Sequence, residues 1–335
     1  MGHKQYDTRS RREIDGLVLA VDAGATHTRT AVANIEGRVL GTSLAGAANS
    51  YAVGELRALE NLKHGIGQAL RRAGVGASQI SAVVLGTAAV DYDGSGAARI
   101  ARRLKRELSR AHILVTADAL IALEGALAGE AGVVIVCGTG SIVLGKDSNG
   151  GLAKVGGWGP LMGDEASAQW VGREALRRAA LAADGTGPTT SLVRLLLKRY
   201  KLGRFERVID AVYKHPMTPA ELGALAPIVS LAAEQGDEVA RDIFRVGAEA
   251  LAMQAAQAVA RLDLEPVKIS YQGSMFRTGA LLLKPLRSKL HKLAPQGRLI
   301  RPAFSPLAGA FLLALRRKGI EHLESLHRFQ RGCHA

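Results

Sequence analysis

The chain has 335 residues, 47% hydrophobic and 22% charged, a balance typical of a globular protein with room for two domains. Its formal net charge of +14 suggests nucleic-acid binding, but the densest basic run spaces Ile100, Leu104 and Leu108 by four and therefore predicts a helix with a solvated basic face. The two cysteines, Cys137 and Cys333, lie in unrelated contexts, which argues against a disulfide framework or a metal site.

The start of the chain lacks the apolar stretch of a signal peptide, and no later segment is long and apolar enough to span a membrane. We therefore expect a cytoplasmic protein with a flexible basic leader over residues 1–15. We expect no nucleic-acid partner and no membrane partner, whereas a homodimer stays open. The excess positive charge favours an anionic small molecule such as a nucleotide.

The first half of the chain predicts a meander of three short strands, followed by alternating helices and strands. The meander strands are residues 17–22, 29–35 and 38–44. The later elements are a helix at 53–73, a strand at 80–85, the basic helix at 99–110 and a strand at 112–115. This order is β-β-β-α-β-α-β.

The second half predicts a similar beginning, because a strand, a Gly/Thr turn and a second strand recur there. The predicted elements are strands at 133–137 and 142–146, a mostly helical stretch at 164–262, a strand at 267–271, and helices at 281–293 and 307–317. Helix breaks are expected at 185–188, 215–219 and 236. The order of elements thus indicates two structurally related halves.

We place the N-terminal lobe at residues 16–118 and the C-terminal lobe, with its helical insertion, at 119–325. The last residues, 326–335, are assigned to a tail.

Glycines combine with hydroxyl or carboxylate side chains at the ends of several predicted strands. In D-A-G-A-T-H-T, residues 22–28, Gly24 permits a tight turn whose N–H groups can face phosphate, while Thr26 and Thr28 add hydroxyls. Asp22 ends a buried strand and can bind Mg²⁺ directly or through water. A plain hairpin turn is the alternative for this segment.

The segment C-G-T-G-S, residues 137–141, again lies between two strands. Gly138 and Gly140 permit close approach of a ligand to the backbone, and Thr139 and Ser141 offer hydroxyls to a polyphosphate. Two such hairpins, one in each lobe, could hold one nucleotide from opposite sides. The pair is therefore more informative than either hairpin alone.

Asp118 follows the predicted strand at 112–115, where the chain enters a helix. A carboxylate at this junction could accept the proton of a sugar hydroxyl that attacks a γ-phosphoryl group. The local sequence favours Asp118 as the N-cap of the helix, and the two roles are compatible.

The loop V-G-G-W-G-P-L-M-G-D-E, residues 155–165, surrounds Trp158 with glycines and ends in two acidic residues. Such a loop suits polyol recognition, although Trp158 could instead fill a gap in the core. The turn Q-G-S-M-F, residues 272–276, follows the last buried strand and could accommodate an adenine or ribose. It is equally an ordinary strand-to-helix connection.

In this order and spacing, these segments resemble those of the acetate and sugar kinase, heat-shock chaperone and actin superfamily. Within it, the sequence is similar to the BadF/BadG/BcrA/BcrD ATPase family, which includes N-acetylglucosamine kinase. The likeness extends from about Leu17 to Leu315. The resemblance implies an α/β fold of two ribonuclease-H-like lobes, as in actin-like ATPases, with a nucleotide and sugar cleft between them.

The resemblance further implies an ATP- and Mg²⁺-dependent kinase acting on the 6-hydroxyl of a hexose or amino sugar, such as glucosamine, N-acetylglucosamine or glucose. Asp118 would be the catalytic base and Asp22 the metal ligand. The implied sugar-binding residues are Asn49, Gly157, Trp158 and Asp164. The implied nucleotide-binding residues are Asp22, Gly24, Thr26, Thr28, Gly138, Thr139, Gly140, Ser141, Gly273 and Ser274.

One departure from the pattern bears on the substrate. Mammalian N-acetylglucosamine kinases have Asn directly after G-T-G-S, where this chain has Ile142.

Two other functions remain open on sequence grounds. One is an ATPase activator of an acyl-CoA dehydratase or reductase, which needs iron–sulfur ligands that Cys137 and Cys333 do not obviously provide. The other is a non-catalytic sugar-sensing regulator.

Overall fold

The computed structural model describes residues 16–88, 90, 95–215, 217–262, 265, 267–320 and 323–333. These residues form two compact units, with boundaries between Glu130 and Ala131 and between Arg301 and Pro302. The first unit therefore includes the C-terminal segment after Arg301, whereas the sequence-based division placed residues 119–325 in the second lobe. The predicted leader at 1–15 lies outside the described residues.

The first unit contains a five-stranded sheet in the order β3-β2-β1-β4-β5. Its strands are β1 (Leu17–Ala23), β2 (His27–Ala33), β3 (Val39–Gly46), β4 (Ile80–Thr87) and β5 (His112–Thr116). Strands β1 to β3 form the predicted antiparallel meander, and β4 and β5 run parallel to β1. The carboxyl ends of β1, β4 and β5 therefore lie at one edge of the sheet.

Helices cover both faces of this sheet. They are α1 (Ser50–Val53), α2 (Glu55–Ala73), α3 (Ser95–Glu107), α4 (Asp118–Ala126), α12 (Pro306–Arg316) and α13 (Leu323–Gly332). On one face, Leu19 and Val21 pack with Leu62 of α2 and Leu104 of α3. The basic side chains of α3 thus surround an apolar stripe that faces the core, as its spacing predicts.

The opposite face of the sheet packs on the C-terminal helices. Val18 and Ala20, which alternate with the previous set along β1, lie in a cluster with Phe311 of α12 and Phe329 of α13. The two phenyl rings stack with centroids 4.2 Å apart. The sequence analysis assigned residues 326–335 to a tail. Most of α13 lies in this segment instead, and Leu326 and Phe329 on one side of the helix are buried.

The second unit repeats the same scheme, with strand order β10-β9-β6-β7-β8. Its strands are β6 (Gly132–Cys137), β7 (Ser141–Lys146), β8 (Leu152–Gly156), β9 (Val267–Gln272) and β10 (Gly297–Leu299). Strands β6 to β8 form a meander, and β9 and β10 run parallel to β6. The α/β class and the two ribonuclease-H-like units expected from the sequence are confirmed.

The helices of the second unit build most of its core. They are α5 (Ala168–Ala183), α6 (Leu192–Tyr200), α7 (Val208–Tyr213), α8 (Pro219–Gly223), α9 (Ala226–Glu234), α10 (Glu238–Leu262) and α11 (Ala280–Leu293). The 25-residue α10 buries Ala248, Ala252 and Ala255, whose small side chains permit close approach of its neighbours. Among the helices of the described residues, none has both the length and the apolar character needed to cross a membrane.

Helix α4 touches its neighbours at backbone distance. A Cβ atom on Gly309 of α12 would overlap the carbonyl oxygen of Ile121 and lie 2.5 Å from the Gly125 nitrogen of α4. The chain that leads into α12 is attached to the same helix, because the Phe304 N–H donates to the Gly125 carbonyl at 3.0 Å. Glycine at position 309 is therefore required by the packing of these two helices.

We predict that Gly309→Ala destabilises the protein by about 3 kcal/mol or more, since the added methyl group must push two helix backbones apart. The matched control is Gly67→Ala in α2, where a Cβ would meet only the end of Arg71 at 3.4 Å. That change should stabilise by about 0.5–1 kcal/mol, because alanine favours a helix interior. Chemical denaturation measures both, and equal effects would contradict the close packing.

Candidate active site

Asp22 lies at the carboxyl end of β1, directly opposite Arg29 in the β1–β2 pair. Its side chain shares a face of the sheet with Val18 and Ala20, so it is the polar end of an otherwise apolar row. The Arg29 guanidinium lies 3.8 Å from the Asp22 carboxylate, and Asp22 is only 14% exposed. A carboxylate is thus held at the sheet edge with one cation beside it.

Asp118 approaches the same edge from α4. It follows β5 by two residues and is the first residue of the helix, while Ala117 occupies the N-cap position. Its Oδ1 accepts the Ala119 N–H at 2.8 Å. Asp118 is therefore not the N-cap residue, although its carboxylate still accepts an N–H of the first helical turn. A negative charge here is stabilised by the helix N-terminus.

Gly86 brings α4 close to the sheet. It lies in β4 in register with Asp22 on one side and with Thr116 on the other. A Cβ on Gly86 would overlap the Ile121 side chain of α4, so glycine is what permits this approach. The first turn of α4, with Asp118, therefore faces the end of β1.

Both carboxylates have raised pKa values. The pKa of Asp22 is raised to about 6, mainly by burial and also by the nearby charge of Asp118, while Arg29 partly opposes both effects. Burial likewise raises the pKa of Asp118, against the N–H groups of its own helix turn. Carboxylates with raised pKa values at a sheet edge are candidates for proton transfer and cation binding.

The predicted nucleotide hairpin of the first unit lies beside these carboxylates. The Gly24 N–H donates to the His27 carbonyl at 3.0 Å and closes the turn, and Thr26 is exposed at its tip. Thr28 is different, because its hydroxyl is buried and donates to the Gly46 carbonyl of β3 at 2.8 Å. Thr28 therefore stabilises the sheet in this structure, while the turn backbone and Thr26 remain at the surface.

Asn49, the predicted sugar-binding residue of this unit, follows β3 and is partly exposed. Its carbonyl accepts the Val53 N–H at 3.2 Å, and the preceding Ala47 carbonyl accepts from the Asn61 side chain of α2 at 2.7 Å. The segment that carries Asn49 is thus attached to α2.

In the second unit, the predicted nucleotide hairpin is tightly closed. The Gly138 N–H donates to the Gly140 carbonyl at 2.9 Å, and Thr139 is partly exposed between them. The Ser141 hydroxyl is bonded to the Glu165 carbonyl at 2.8 Å, so it fixes the hairpin to the loop after β8. Gly138, Thr139 and Gly140 are partly exposed, so this part of the hairpin remains accessible.

The predicted adenosine turn lies directly against this hairpin. Gly273 has φ +114°, and a Cβ there would overlap the Cys137 carbonyl oxygen. The neighbouring Ser274 is exposed, and its hydroxyl oxygen lies 3.9 Å from the position of a Cβ on Gly138. The structure therefore brings together the hairpin at 138–141 and the turn at Gly273 and Ser274, which are far apart in sequence.

Asp164 connects the glycine-rich loop to the hairpin. It is 6% exposed and has φ +61°, a conformation that is costly for a residue other than glycine. Its Oδ1 accepts the Ser141 N–H at 3.3 Å and its Oδ2 accepts the Gln169 amide at 2.6 Å. Burial raises its pKa. Asp164 therefore fixes the loop and hairpin together, with Gly140 leaving the space for its carboxylate.

The glycine-rich loop leaves Trp158 at the surface. The side chain is 63% exposed, so Trp158 does not fill a gap in the core. Gly157 and Gly159 have φ values of +69° and +81°, which explains why glycines surround the tryptophan. A Cβ on Gly157 would lie 2.8 Å from Ile142, so the loop is packed on β7.

Three residues of these sites were missed on sequence grounds. Arg29 could have been found from the hairpin register, which pairs residues seven apart across a short turn. Gln169 lies five residues after Asp164 in the first turn of α5, and no local pattern marks it as the partner of a buried carboxylate. Gln254 of α10, which donates to Glu165 at 2.9 Å, is 89 residues away in the chain.

A family model for the BadF/BadG/BcrA/BcrD ATPase family matches residues 19–314. The chain belongs to this family. The match covers both units, including the Asp22 hairpin, Asp118, the hairpin at 138–141 and the loop that contains Trp158.

Among characterised relatives, the N-acetyl-D-glucosamine kinase of Dictyostelium discoideum is 29% identical over 317 residues, which cover 90% of this chain and 98% of that protein. The N-acetylmuramic acid/N-acetylglucosamine kinase of Clostridium acetobutylicum is 27% identical over 300 residues, with 89% and 97% covered. A solved structure assigned as an N-acetylglucosamine kinase from Chromobacterium violaceum has a TM-score of 0.73 at 25% identity and covers 90% of this chain and 99% of that one.

The raised pKa of Asp22 predicts a stability cost in metal-free buffer. An unfolded Asp titrates near 3.8 and the folded Asp22 near 6, so the folded state loses stability as the pH rises between these values. We predict that Asp22→Asn is more stable than the unchanged protein at pH 8, by up to about 3 kcal/mol, and that the gap largely closes near pH 4.

Chemical denaturation at both pH values, with a chelator present, measures this difference. The matched control is Asp184→Asn at the exposed end of α5, which should change stability little at either pH. Destabilisation of Asp22→Asn at pH 8 would show that favourable contacts outweigh the cost of burial.

Proposed function

We propose that this protein is a sugar kinase that transfers the γ-phosphoryl group of ATP to the 6-hydroxyl of a hexose or amino sugar. The observation that carries the proposal is the pair of carboxylates, Asp22 and Asp118, held at one sheet edge with raised pKa values. Phosphoryl transfer to an alcohol needs a proton acceptor and a means of neutralising phosphate charge, and two carboxylates with different partners can supply both. The sugar kinases among its relatives support the same conclusion.

Asp118 is the general base in this proposal. It is bonded through Oδ1 to its own helix turn, which orients the carboxylate and leaves Oδ2 for the sugar hydroxyl. Its pKa is raised by burial, and a raised pKa makes a carboxylate a better proton acceptor near neutral pH.

Asp22 would hold Mg²⁺, directly or through water. The site suits a cation for electrostatic reasons. Negative charges on Asp22 and Asp118 are unfavourable because the carboxylates are buried and repel each other, and a cation would relieve both effects. Among the described ranges, no cluster of three or more His, Cys, Asp or Glu side chains is suited to a metal ion. Mg²⁺ commonly binds only one or two carboxylates, together with substrate phosphates and water. When bound, it would neutralise charge on the phosphate oxygens.

The remaining residues would bind and orient the two substrates. Gly24 and Thr26 in one hairpin, and Gly138, Thr139 and Gly140 in the other, offer backbone and hydroxyl donors to phosphates. The turn at Gly273 and Ser274 would contact the adenosine. Asn49, Gly157 and Trp158 would contact the sugar, whereas Asp164 would act by holding the sugar loop and the hairpin at 138–141 in position.

The positions of the two cysteines argue against the iron–sulfur activator hypothesis. Cys137 is fully buried, and burial raises the pKa of its thiol strongly, so it is a poor ligand for a cluster at a subunit interface. Cys333 lies beyond the end of α13 and has no second cysteine in its own unit.

A coupled ADP-release assay tests the proposal directly. The panel contains glucose, glucosamine, N-acetylglucosamine, mannose and a blank without sugar, each with ATP and Mg²⁺. We expect ADP release that depends on at least one of the sugars and a phosphorylated product at carbon 6, identified by NMR. Release at the same rate in the blank would contradict the sugar kinase function.

We predict that Asp118→Asn lowers kcat about a hundredfold to ten-thousandfold, since an amide cannot accept the hydroxyl proton. Nucleotide affinity should change little, because Asn keeps the size of the side chain and can still accept the Ala119 N–H. Steady-state kinetics and calorimetric titration with a nonhydrolysable nucleotide measure the two effects. Near-normal turnover would remove Asp118 from the role of base.

A further inference from the structure

Gln169 supplies the side-chain donor to the buried carboxylate of Asp164. The two side chains meet at 2.6 Å, between Gln169 Nε2 and Asp164 Oδ2, and Gln169 is only 4% exposed. A hydrogen bond to an ionised acceptor is stronger than one between neutral groups, and it is stronger still away from water. This contact therefore favours the charged form of Asp164.

The other half of the Gln169 amide is unsatisfied. Its Oε1 atom is buried, and none of the described residues donates a hydrogen bond to it. An unpaired buried oxygen costs free energy, and the bond to Asp164 is the contact that offsets this cost. An apolar side chain would fill the same space without leaving a polar atom unpaired. Filling space therefore does not account for a glutamine at this position.

The ionised Asp164 connects the glycine-rich loop at 155–165 with the hairpin at 138–141. Its Oδ1 accepts the Ser141 N–H of the hairpin at 3.3 Å. The N–H of Gly159, within the loop, also stabilises its charged form. A carboxyl group that carries a proton has lost part of its capacity to accept such bonds. Protonation of Asp164 would thus loosen the loop from the hairpin.

Burial and hydrogen bonds together set the charge of Asp164. Burial raises its pKa, the hydrogen-bond donors lower it, and the negative charge of Glu165 raises it again. The titratable group on the hairpin side is Cys137, whose thiol stays protonated because burial raises its pKa strongly. From α10 the uncharged Gln254 donates to Glu165 at 2.9 Å. The Gln169 amide is thus one of the groups that oppose protonation of this carboxylate.

We propose that Gln169 is a positioning residue for sugar binding: its amide keeps Asp164 ionised, and the ionised Asp164 keeps the glycine-rich loop attached to the hairpin at 138–141. The inference rests on the proposed sugar kinase function and adds a lower pH limit for sugar binding. Loss of the amide donor should raise the pKa of Asp164, so the protein would lose sugar affinity at a higher pH than before.

Two substitutions of Gln169 separate charge from shape. Gln169→Met keeps an unbranched side chain but has no donor, so its effect should be largest in acidic buffer and should shrink as the pH rises. Gln169→Glu keeps the shape and should have the opposite pH dependence. While the new carboxyl group shares one proton with Asp164, its O–H can donate as the amide did, and when that proton leaves at higher pH the two charges repel.

The test measures kcat and KM for N-acetylglucosamine and for glucose between about pH 5 and pH 9, because neither sugar ionises in this range. We expect Gln169→Met to lower kcat/KM about tenfold or more at the acidic end, mainly through KM, and less than about threefold at the alkaline end. Gln169→Glu should be near normal at the acidic end and should lose about tenfold at the alkaline end.

The ratio of each variant to the unchanged protein removes the titrations that both share, including those of Asp22, Asp118 and ATP. The matched control is Gln257→Met on the exposed side of α10, whose ratio should stay near one throughout. Circular dichroism at each pH verifies that the variants remain folded.

Trp158 fluorescence follows the loop without any turnover. The chain has two tryptophans, so Trp170→Phe leaves Trp158 as the single emitter. In that background we expect the emission to change as Asp164 takes up a proton, with its midpoint at a higher pH in Gln169→Met than in the protein with Gln169. A further change at alkaline pH should appear only in Gln169→Glu.

The inference is overturned if the effects of Gln169→Met and Gln169→Glu are independent of pH or follow it in the same direction, as expected of a residue that only packs. The fluorescence midpoints decide this without phosphorylation of either sugar. Absence of ADP release with every sugar of the earlier panel would instead contradict the proposed sugar kinase function.

Discussion

The position of α4 is the constraint on which the first unit depends. Gly86 lets this helix approach the sheet, and Gly309 and Gly125 let it touch α12 at backbone distance. Because Asp118 is the first residue of α4, the packing of the helix decides where the carboxylate lies relative to Asp22. Packing at this density permits little adjustment, so a change in the core would be transmitted to the site.

The two units share one strand order but differ in the chemistry at the sheet edge. In the first unit the edge carries ionisable groups whose charges are costly to bury. In the second unit it carries a glycine hairpin, a second glycine turn, and a buried carboxylate that holds a loop in place. The same topology thus carries buried carboxylates with raised pKa values in one unit and close backbone packing in the other, which is consistent with function residing in sites rather than in the fold.

Alternating apolar residues and turn signals were sufficient to predict the first meander and most helices. Strands β8 and β10 were missed because they are short edge strands, one merging into a glycine-rich loop and the other only three residues long. The local sequence also shows which hydroxyls and carboxylates are present but not which atoms they bind. The hydroxyl of Thr28 bonds to β3, and Asp164 binds the backbone of a hairpin 23 residues earlier. Such pairings depend on strand register and loop conformation, which arise only in the folded chain.

The cysteines make this chain convenient for spectroscopy. Cys137 is enclosed by the core of the second unit, and burial raises the pKa of Cys333 to about 12, so both thiols are mostly protonated and slow to react at neutral pH. A cysteine introduced at an exposed position would have a far larger thiolate fraction. A maleimide dye would therefore attach mainly to the introduced residue, and ligand binding by either unit could be followed by fluorescence without first removing the native cysteines.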